Sequence, residues 1–304
     1  MHAQRLTKEV TLSSASTPAN MGFWNTHSTL SIRPTSDPSD LSWYWEVAGK
    51  KVRIVPQLFQ SKGRWIELVY KTRGKTHRFK EFEHIAFLYA MGLRGIIISL
   101  QGSWPPYLCS PHLWQLVQPH LQSNRIALTA WHITEARSRI SKAEPTRGLL
   151  GSVSALPPEE GFEDYFALSA TVDYGPHQSA SVSIHINGSW SIFIEPTDWH
   201  RVVSARSLGR PSWLYVVGSI LSRFPLVRGR RWPHMDRVLW QWQGTSPKFW
   251  TELALHKLLD GMILSFVAEP HEHLVGALSF YRSNHPHDLE LLRTLLTLKN
   301  VELR

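Results

Sequence analysis

The sequence predicts an α+β fold built from two units, each a sheet with helices on one face, divided near Ser123. Three observations lead there. Short segments that alternate apolar and polar residues open the chain, as in residues 29–33 and 65–70. Two amphipathic helical segments follow them, at 81–91 and 112–121. The same order of strands and then helices recurs beyond Ser123, although no internal repeat is strong enough to prove duplication.

The individual elements follow from local patterns. Residues 34–40 (PTSDPSD) are turn material after the strand at 29–33. In the first helix Phe82, Ile85, Leu88 and Tyr89 recur at helical spacing, and Gly92 suits its C-terminal cap. The β-branched run at 96–100 (IIISL) predicts a buried strand, and a proline turn at 104–106 leads into the second helix. Residues 129–134 predict a strand. The stretch 143–161, with Pro145, Pro157, Pro158 and several glycines, is expected to be turn and loop. Residues 166–174 and 180–186 alternate as half-buried antiparallel strands do, turning at Gly175-Pro176. A helix at 197–204 begins with Thr-Asp, a long helix covers 247–267, a strand covers 274–281, and a last helix runs over 286–298.

Composition bounds the function classes. The chain has 304 residues, 42% hydrophobic and 19% charged, enough for a real core. No run reaches the roughly 18 apolar residues of a membrane span. The start MHAQRLTKEV lacks the apolar region of a secretory signal, and the single Cys109 excludes an internal disulfide. The expectation is a soluble cytoplasmic monomer. A net charge of +9 favours acidic partners: nucleic acid, anionic lipid at a peripheral membrane contact, or a phosphorylated substrate. Fourteen tryptophans, several beside cations (Arg64-Trp65, Trp199-His200-Arg201, Arg231-Trp232), fit base stacking, a lipid interface, or core aromatics beside a solvated basic face.

Three features could carry chemistry. Glu83-His84 opens an amphipathic helix, where an imidazole can coordinate a metal while the carboxylate takes a proton from its water. For an isolated pair, the ordinary reading is a surface glutamate beside a half-buried histidine. His256 and Asp260 stand four residues apart on the long helix, so they share one face and suit one metal ion, or a simple hydrogen bond. Near the end, His271 and His273 suit a solvated turn, whereas His285 sits at a strand-to-helix junction, where functional groups commonly lie. No Gly-x-Ser-x-Gly elbow, P-loop or Gly-x-Gly-x-x-Gly motif is present.

Taken in order, the fragments resemble one family. Gln4-Arg-Leu-Thr-Lys8, residues 29–34 (TLSIRP), Glu83-His84 with 88–93 (LYAMGL), 204–209 (SARSLG), His256-Lys-Leu-Leu-Asp260 and 276–285 (GALSFYRSNH) are similar, collinearly, to motifs of the zinc-dependent UDP-3-O-acyl-N-acetylglucosamine deacetylases of lipid A synthesis. The resemblance implies two β-α-α-β sandwich domains, 1–123 and 124–304, packed face to face with the active site between them. It implies that His84, His256 and Asp260 bind zinc, or iron in its place, with a fourth position open for water. Glu83 would be the general base, His285 the acid toward the leaving amine, Ser207 an oxyanion donor, and Lys257 a contact for the substrate's polar head or the oxyanion. The implied substrate is an acylated nucleotide sugar, not nucleic acid. Its acyl chain would run along a divergent insert at about 210–247, rich in tryptophan, aliphatic residues and arginine.

The sequence also departs from the family. The family's Gly-x-His-x-Gly is not kept, His27 standing at a shifted spacing. Its Pro-x-x-Asp-Gly-Ser becomes Pro106-Tyr-Leu-Cys-Ser110, and its glycine before the catalytic histidine is Asn284. A glycine-rich segment after residue 209 is absent. The aspartate that orients the catalytic histidine, four residues beyond the zinc-binding one, is Leu264. Two alternatives therefore accompany the lipid A deacetylase: the same zinc chemistry on another N-acetylated sugar, and a non-catalytic zinc protein that binds nucleotide sugar or lipid.

Overall fold

The computed structural model describes residues 1–13, 28–61, 65–102, 105, 109–138, 141–144, 149–158, 160–161, 163–173, 179–186, 201–203, 205 and 247–302. The first part of the chain runs through strands β1 (His2–Leu6), β2 (Val10–Ser13), β3 (Thr29–Pro34), β4 (Trp43–Val47), β5 (Lys50–Arg53), β6 (Phe59–Ser61), β7 (Ile66–Thr72) and β8 (Lys75–Phe79). Helix α1 (Glu83–Ala90), β9 (Ile96–Gln101), α2 (Cys109–Val117) and β10 (Leu121–Ala127) follow. Then come β11 (Thr129–His132), β12 (Ala136–Arg137), β13 (Ser141–Glu144), β14 (Leu149–Leu156), β15 (Phe166–Asp173) and β16 (Ser179–Ile186). Helix α3 (Pro247–Gly261) passes directly into a 3-10 helix (Met262–Val267), and β17 (Glu272–Tyr281) and helix α4 (His285–Glu302) complete the described chain. Several sheets and few helices make this an α+β fold.

One five-stranded sheet has the order β2-β3-β9-β4-β5, and one seven-stranded sheet has the order β12-β14-β17-β15-β16, with β11 on β17 and β13 on β14. The central strands are the ones written with continuous apolar runs. In β9, Ile96, Ile97 and Ile98 are buried between β3 and β4, and in β17 residues 274–276 are buried among β11, β14 and β15. The flanking β15 buries every second residue, because only one of its faces meets the core.

Three sequence expectations need correction. Residues 149–156, expected to be loop, form β14 and pair with β17; Pro157 and Pro158 follow the strand, and within it Val153 and Ala155 alternate inward. The long helix does not run unbroken to 267. It tightens to 3-10 geometry after Gly261, where a Cβ would come within 2.2 Å of the Phe280 ring. Ser123, near which the sequence places the division between the two units, falls within β10 and pairs with Gln4 of β1. His273 is not in a solvated turn with His271 but in β17 and half-buried. The turn at 175–176 and most of the helix expected at 197–204 lie outside the described residues.

The two halves share one core. Phe266, from the 3-10 helix after α3, lies 4.0 Å from Tyr89 in a stacked pair and meets Trp43, Phe59 and Phe82 of the first half. Polar contacts close the same seam. The Tyr89 hydroxyl donates to the Ala268 carbonyl at 2.8 Å. The buried Arg94 guanidinium donates to the carbonyls of Tyr89 and Leu93 on one side and of Pro270 and Glu272 on the other, at 2.6 to 3.0 Å.

His273 lies at this seam, and it gives the fold a directional response to acid. Burial, joined by the positive charges of the chain's amino terminus and Arg94, pushes its pKa down to about 4. The unfolded chain, with an imidazole pKa of about 6.5, therefore takes up this proton first as pH falls. The stabilising contribution is complete above about pH 6.5 and is lost progressively toward pH 4. His273→Gln is expected to flatten the fall in thermal midpoint between pH 7 and pH 4.5; an equal fall in both proteins would remove His273 as its source.

Candidate metal centre

Helix α1 begins at a corner held by strand β7. Glu81 adopts a left-handed backbone (φ 53°), unusual for a residue with a side chain. The Phe82 amide then donates to the Ile66 carbonyl, and the Ile66 amide donates to Glu83 Oε2, both at 2.9 Å. This clasp fixes Glu83 inside the protein, 1% exposed. The next residue, His84, has its carbonyl bound by the Ser110 hydroxyl of α2 at 2.9 Å. Gly92 (φ 89°) ends the helix: its amide reaches Tyr89 O and the Leu93 amide reaches Leu88 O, the Schellman pattern that the glycine predicts.

Helix α3 brings the second pair of groups. His256 and Asp260, one turn apart, face the same way, with Nε2 and Oδ1 3.2 Å apart. His84 and His256 meet edge to face, ring centres 5.5 Å apart. One ligand atom from each of His84, His256 and Asp260 lies within 4.8 Å of the other two.

Helix α4 supplies His285. Asn284 caps this helix: its Oδ1 accepts the His287 amide at 3.2 Å, while its own amide donates to His287 Nδ1 at 3.3 Å. That reciprocal pair is a capping box with histidine in place of glutamate. An asparagine before His285 therefore has a structural purpose here. His285 Nε2 lies 4.0 Å from both Glu83 Oε1 and Asp260 Oδ2, and its Nδ1 lies 3.6 Å from Asp288 Oδ2.

The protonation pattern follows from these distances. Burial pushes the Glu83 carboxyl well above its usual range; His285 opposes this and Asp260 adds to it. For His285, burial alone would lower the pKa, but Asp260, Asp288 and Glu83 together outweigh it and raise the value to about 9. Burial likewise pushes Asp288 up, and the neighbouring Lys257 and His285 more than reverse it, leaving its carboxyl below the ordinary value.

The donor set fits a divalent metal ion. A carbonyl only accepts, so the 3.1 Å contact between His256 Nδ1 and Ala205 O puts the ring proton on Nδ1. Nε2 then faces a carboxylate oxygen 3.2 Å away, either as the second N–H donor of an imidazolium or as a lone pair beside a shared cation. Two ligands about 2.0–2.1 Å from a tetrahedral zinc stand roughly 3.3 Å apart. Asp260 Oδ1 is buried and has no hydrogen-bond partner among the described residues, as a ligand atom reserved for a cation would be.

No protein-family model and no curated protein matches this chain.

Of the residues singled out from sequence, Glu83, His84, His256, Asp260 and His285 come together at this point. Lys257 is close by, but its ammonium does not face outward toward a substrate head group; it pairs with buried Asp288 and lies 5.6 Å from the Phe280 ring. Ser207, His27 and residues 210–246 of the expected insert lie outside the described residues. Leu264 is fully buried in the 3-10 helix after α3, as an apolar core residue. Three contributors carried no sequence signal that was read: Ser110, the Ala205 carbonyl and Asp288. Only Asp288 had one available, its three-residue spacing from His285 at a helix start.

No helix among the described residues is long and apolar enough to cross a membrane.

Proposed function

We propose that this protein is a zinc-dependent amidase that removes the acetyl group from an N-acetylated amino sugar, with an acylated nucleotide sugar as the leading substrate class. The observation that supports it best is the convergence of His84, His256 and Asp260 with a buried carboxylate, Glu83, and an imidazole, His285, on one point. In this reading two sandwich domains, 1–123 and 124–304, pack face to face around that point. A nucleic-acid partner is not part of it, and peripheral contact with an anionic membrane remains compatible with the +9 charge.

His84, His256 and Asp260 would hold the metal, zinc or iron, which when bound supplies Lewis acidity toward water and the amide carbonyl. Glu83 Oε1, free of the bond that Ile66 makes to Oε2, takes a proton from the attacking water. Water oxygen bonds to the acetamide carbon, and the carbon–nitrogen bond breaks. His285 Nε2 gives the departing nitrogen its proton, so that amine and acetate result. His285 suits this role better than that of a ligand, because carboxylates face both its ring nitrogens and favour the imidazolium. Ser207 would be the oxyanion donor.

One observation favours an altered substrate within this chemistry. Lys257 is buried and paired with Asp288, which engages the charge that the resemblance assigns to the substrate's polar head. The same amidase acting on a different N-acetylated sugar is therefore the second reading.

Protein purified without added metal is expected to carry about one zinc or iron per chain, and His256→Ala is expected to lose it. Acetate release from UDP-linked N-acetylglucosamine carrying a 3-O-acyl chain, compared with the non-acylated sugar, then tests the substrate class. Absence of metal from both proteins, even after zinc is offered, would sink the enzyme.

A further inference from the structure

Among the described residues, Asp288 is the one fully buried carboxylate near the site for which the proposed chemistry has no use. It lies in the first turn of α4, 0% exposed, three residues beyond His285. Its Oδ2 serves two cations at once, accepting from Lys257 Nζ of α3 and standing 3.6 Å from His285 Nδ1. Its Oδ1 is buried and has no hydrogen-bond partner among the described residues. A lone buried carboxylate is costly, and it is tolerated where positive charge holds it. A helix N-terminus adds favourable potential at this position.

We propose that Asp288 is the positioning residue of this site, holding His285 by Nδ1 so that Nε2 faces Glu83 and Asp260. The inference rests on the amidase reading and extends it. An imidazole has two nitrogens, and a carboxylate on one fixes which face the other presents. Asp288 lies on the opposite edge of the ring from Glu83 and Asp260, so it directs Nε2 into the reaction space. Helix α3 does not do this from its own next turn, since Leu264 offers only buried apolar surface. The Asp288–Lys257 pair ties the start of α4 to α3, so the acid and the ligand pair His256 and Asp260 are held by one frame. The 3.6 Å separation is slightly long for a hydrogen bond and is expected to close in the occupied site, as catalytic contacts do.

The test compares zinc-loaded wild type, Asp288→Asn and His285→Gln. Asp288→Asn should keep its zinc and lower kcat roughly 10–100-fold with little change in KM, the effect of losing a residue behind a functional group. Proton NMR of nitrogen-labelled histidine should show a downfield imidazole N–H in wild type, absent from both variants. Unchanged kcat in Asp288→Asn, or a raised KM with kcat intact, overturns the proposal while leaving the amidase standing. If wild type releases no acetate but the downfield proton is present and needs Asp288, the amidase falls and the positioning role survives. Should Asp288→Asn not fold, the wild-type spectrum against His285→Gln decides: no downfield proton on His285 overturns the proposal.

Discussion

Glu83→Gln is expected to lower acetate release by about 10²–10⁴-fold while the protein keeps its metal and its fold. Glutamine has the same shape, and its amide oxygen can still accept from the Ile66 amide, so the clasp between α1 and β7 survives. Glu83 is not in the His84–His256–Asp260 group but in a second possible ligand set with Asp260 and His285, so unchanged metal content would favour the first set. What disappears is the one group that both reaches the centre and can take a proton. Removal of a buried negative charge should, if anything, raise stability, because burial already disfavours the ionised form. Kinetics beside metal analysis on the same preparation checks this. Full activity in Glu83→Gln would remove the general base from the proposal, and loss of metal would place Glu83 among the ligands.

Arg94→Ala should be the most destabilising change outside the centre, by about 3–5 kcal/mol, with the thermal midpoint falling roughly 5–15 °C. The guanidinium serves four carbonyls, two from each side of the seam, and lies over the Tyr89 ring, 3.7 Å from its centre. Burial lowers the Arg94 pKa, but arginine starts so high that the group stays charged. Alanine leaves those acceptors facing a cavity. Lysine keeps the charge but cannot span four acceptors with its single ammonium, so Arg94→Lys should recover only a minor part of the loss. Calorimetry of the three proteins measures it; an unfolding midpoint unchanged in Arg94→Ala would show that the aromatic contacts of Phe266 hold the seam alone.

What could be read in the sequence depended on whether its cause was local. The strands at 166–173 and 179–186 announce themselves by alternation, because one face of each meets the core. Helix α1 is marked by its own spacing and by Gly92, and His256 and Asp260 share a face by helix geometry alone. Strand β14 was hidden by flanking prolines, whose effect stops at the strand's ends and does not reach Val153 or Ala155. The helix changes type after Gly261, where the ring of Phe280 from the distant strand β17 leaves no room for a Cβ. Burial of His273 comes from the seam, which the polar residues before it, His271 and Glu272, do not announce. The centre follows the same division: its groups were visible as residue types, whereas the Ala205 carbonyl that sets the His256 tautomer and the Asp288 carboxylate behind His285 required distant segments to meet.

The division of the centre between α1 and the pair α3 and α4 has a consequence for biogenesis. During synthesis the first half emerges carrying Glu83 and His84 long before the other groups exist. Two neighbouring side chains on one short helix cannot capture a metal ion firmly, so the nascent segment is protected from premature or mistaken loading. Closure of the long intervening loop costs entropy that grows only slowly with its length, and the shared core around Phe266 supplies the compensation. Metal capture at the proposed centre would thereby be a late event, and a loaded centre would report that both halves had been made and joined.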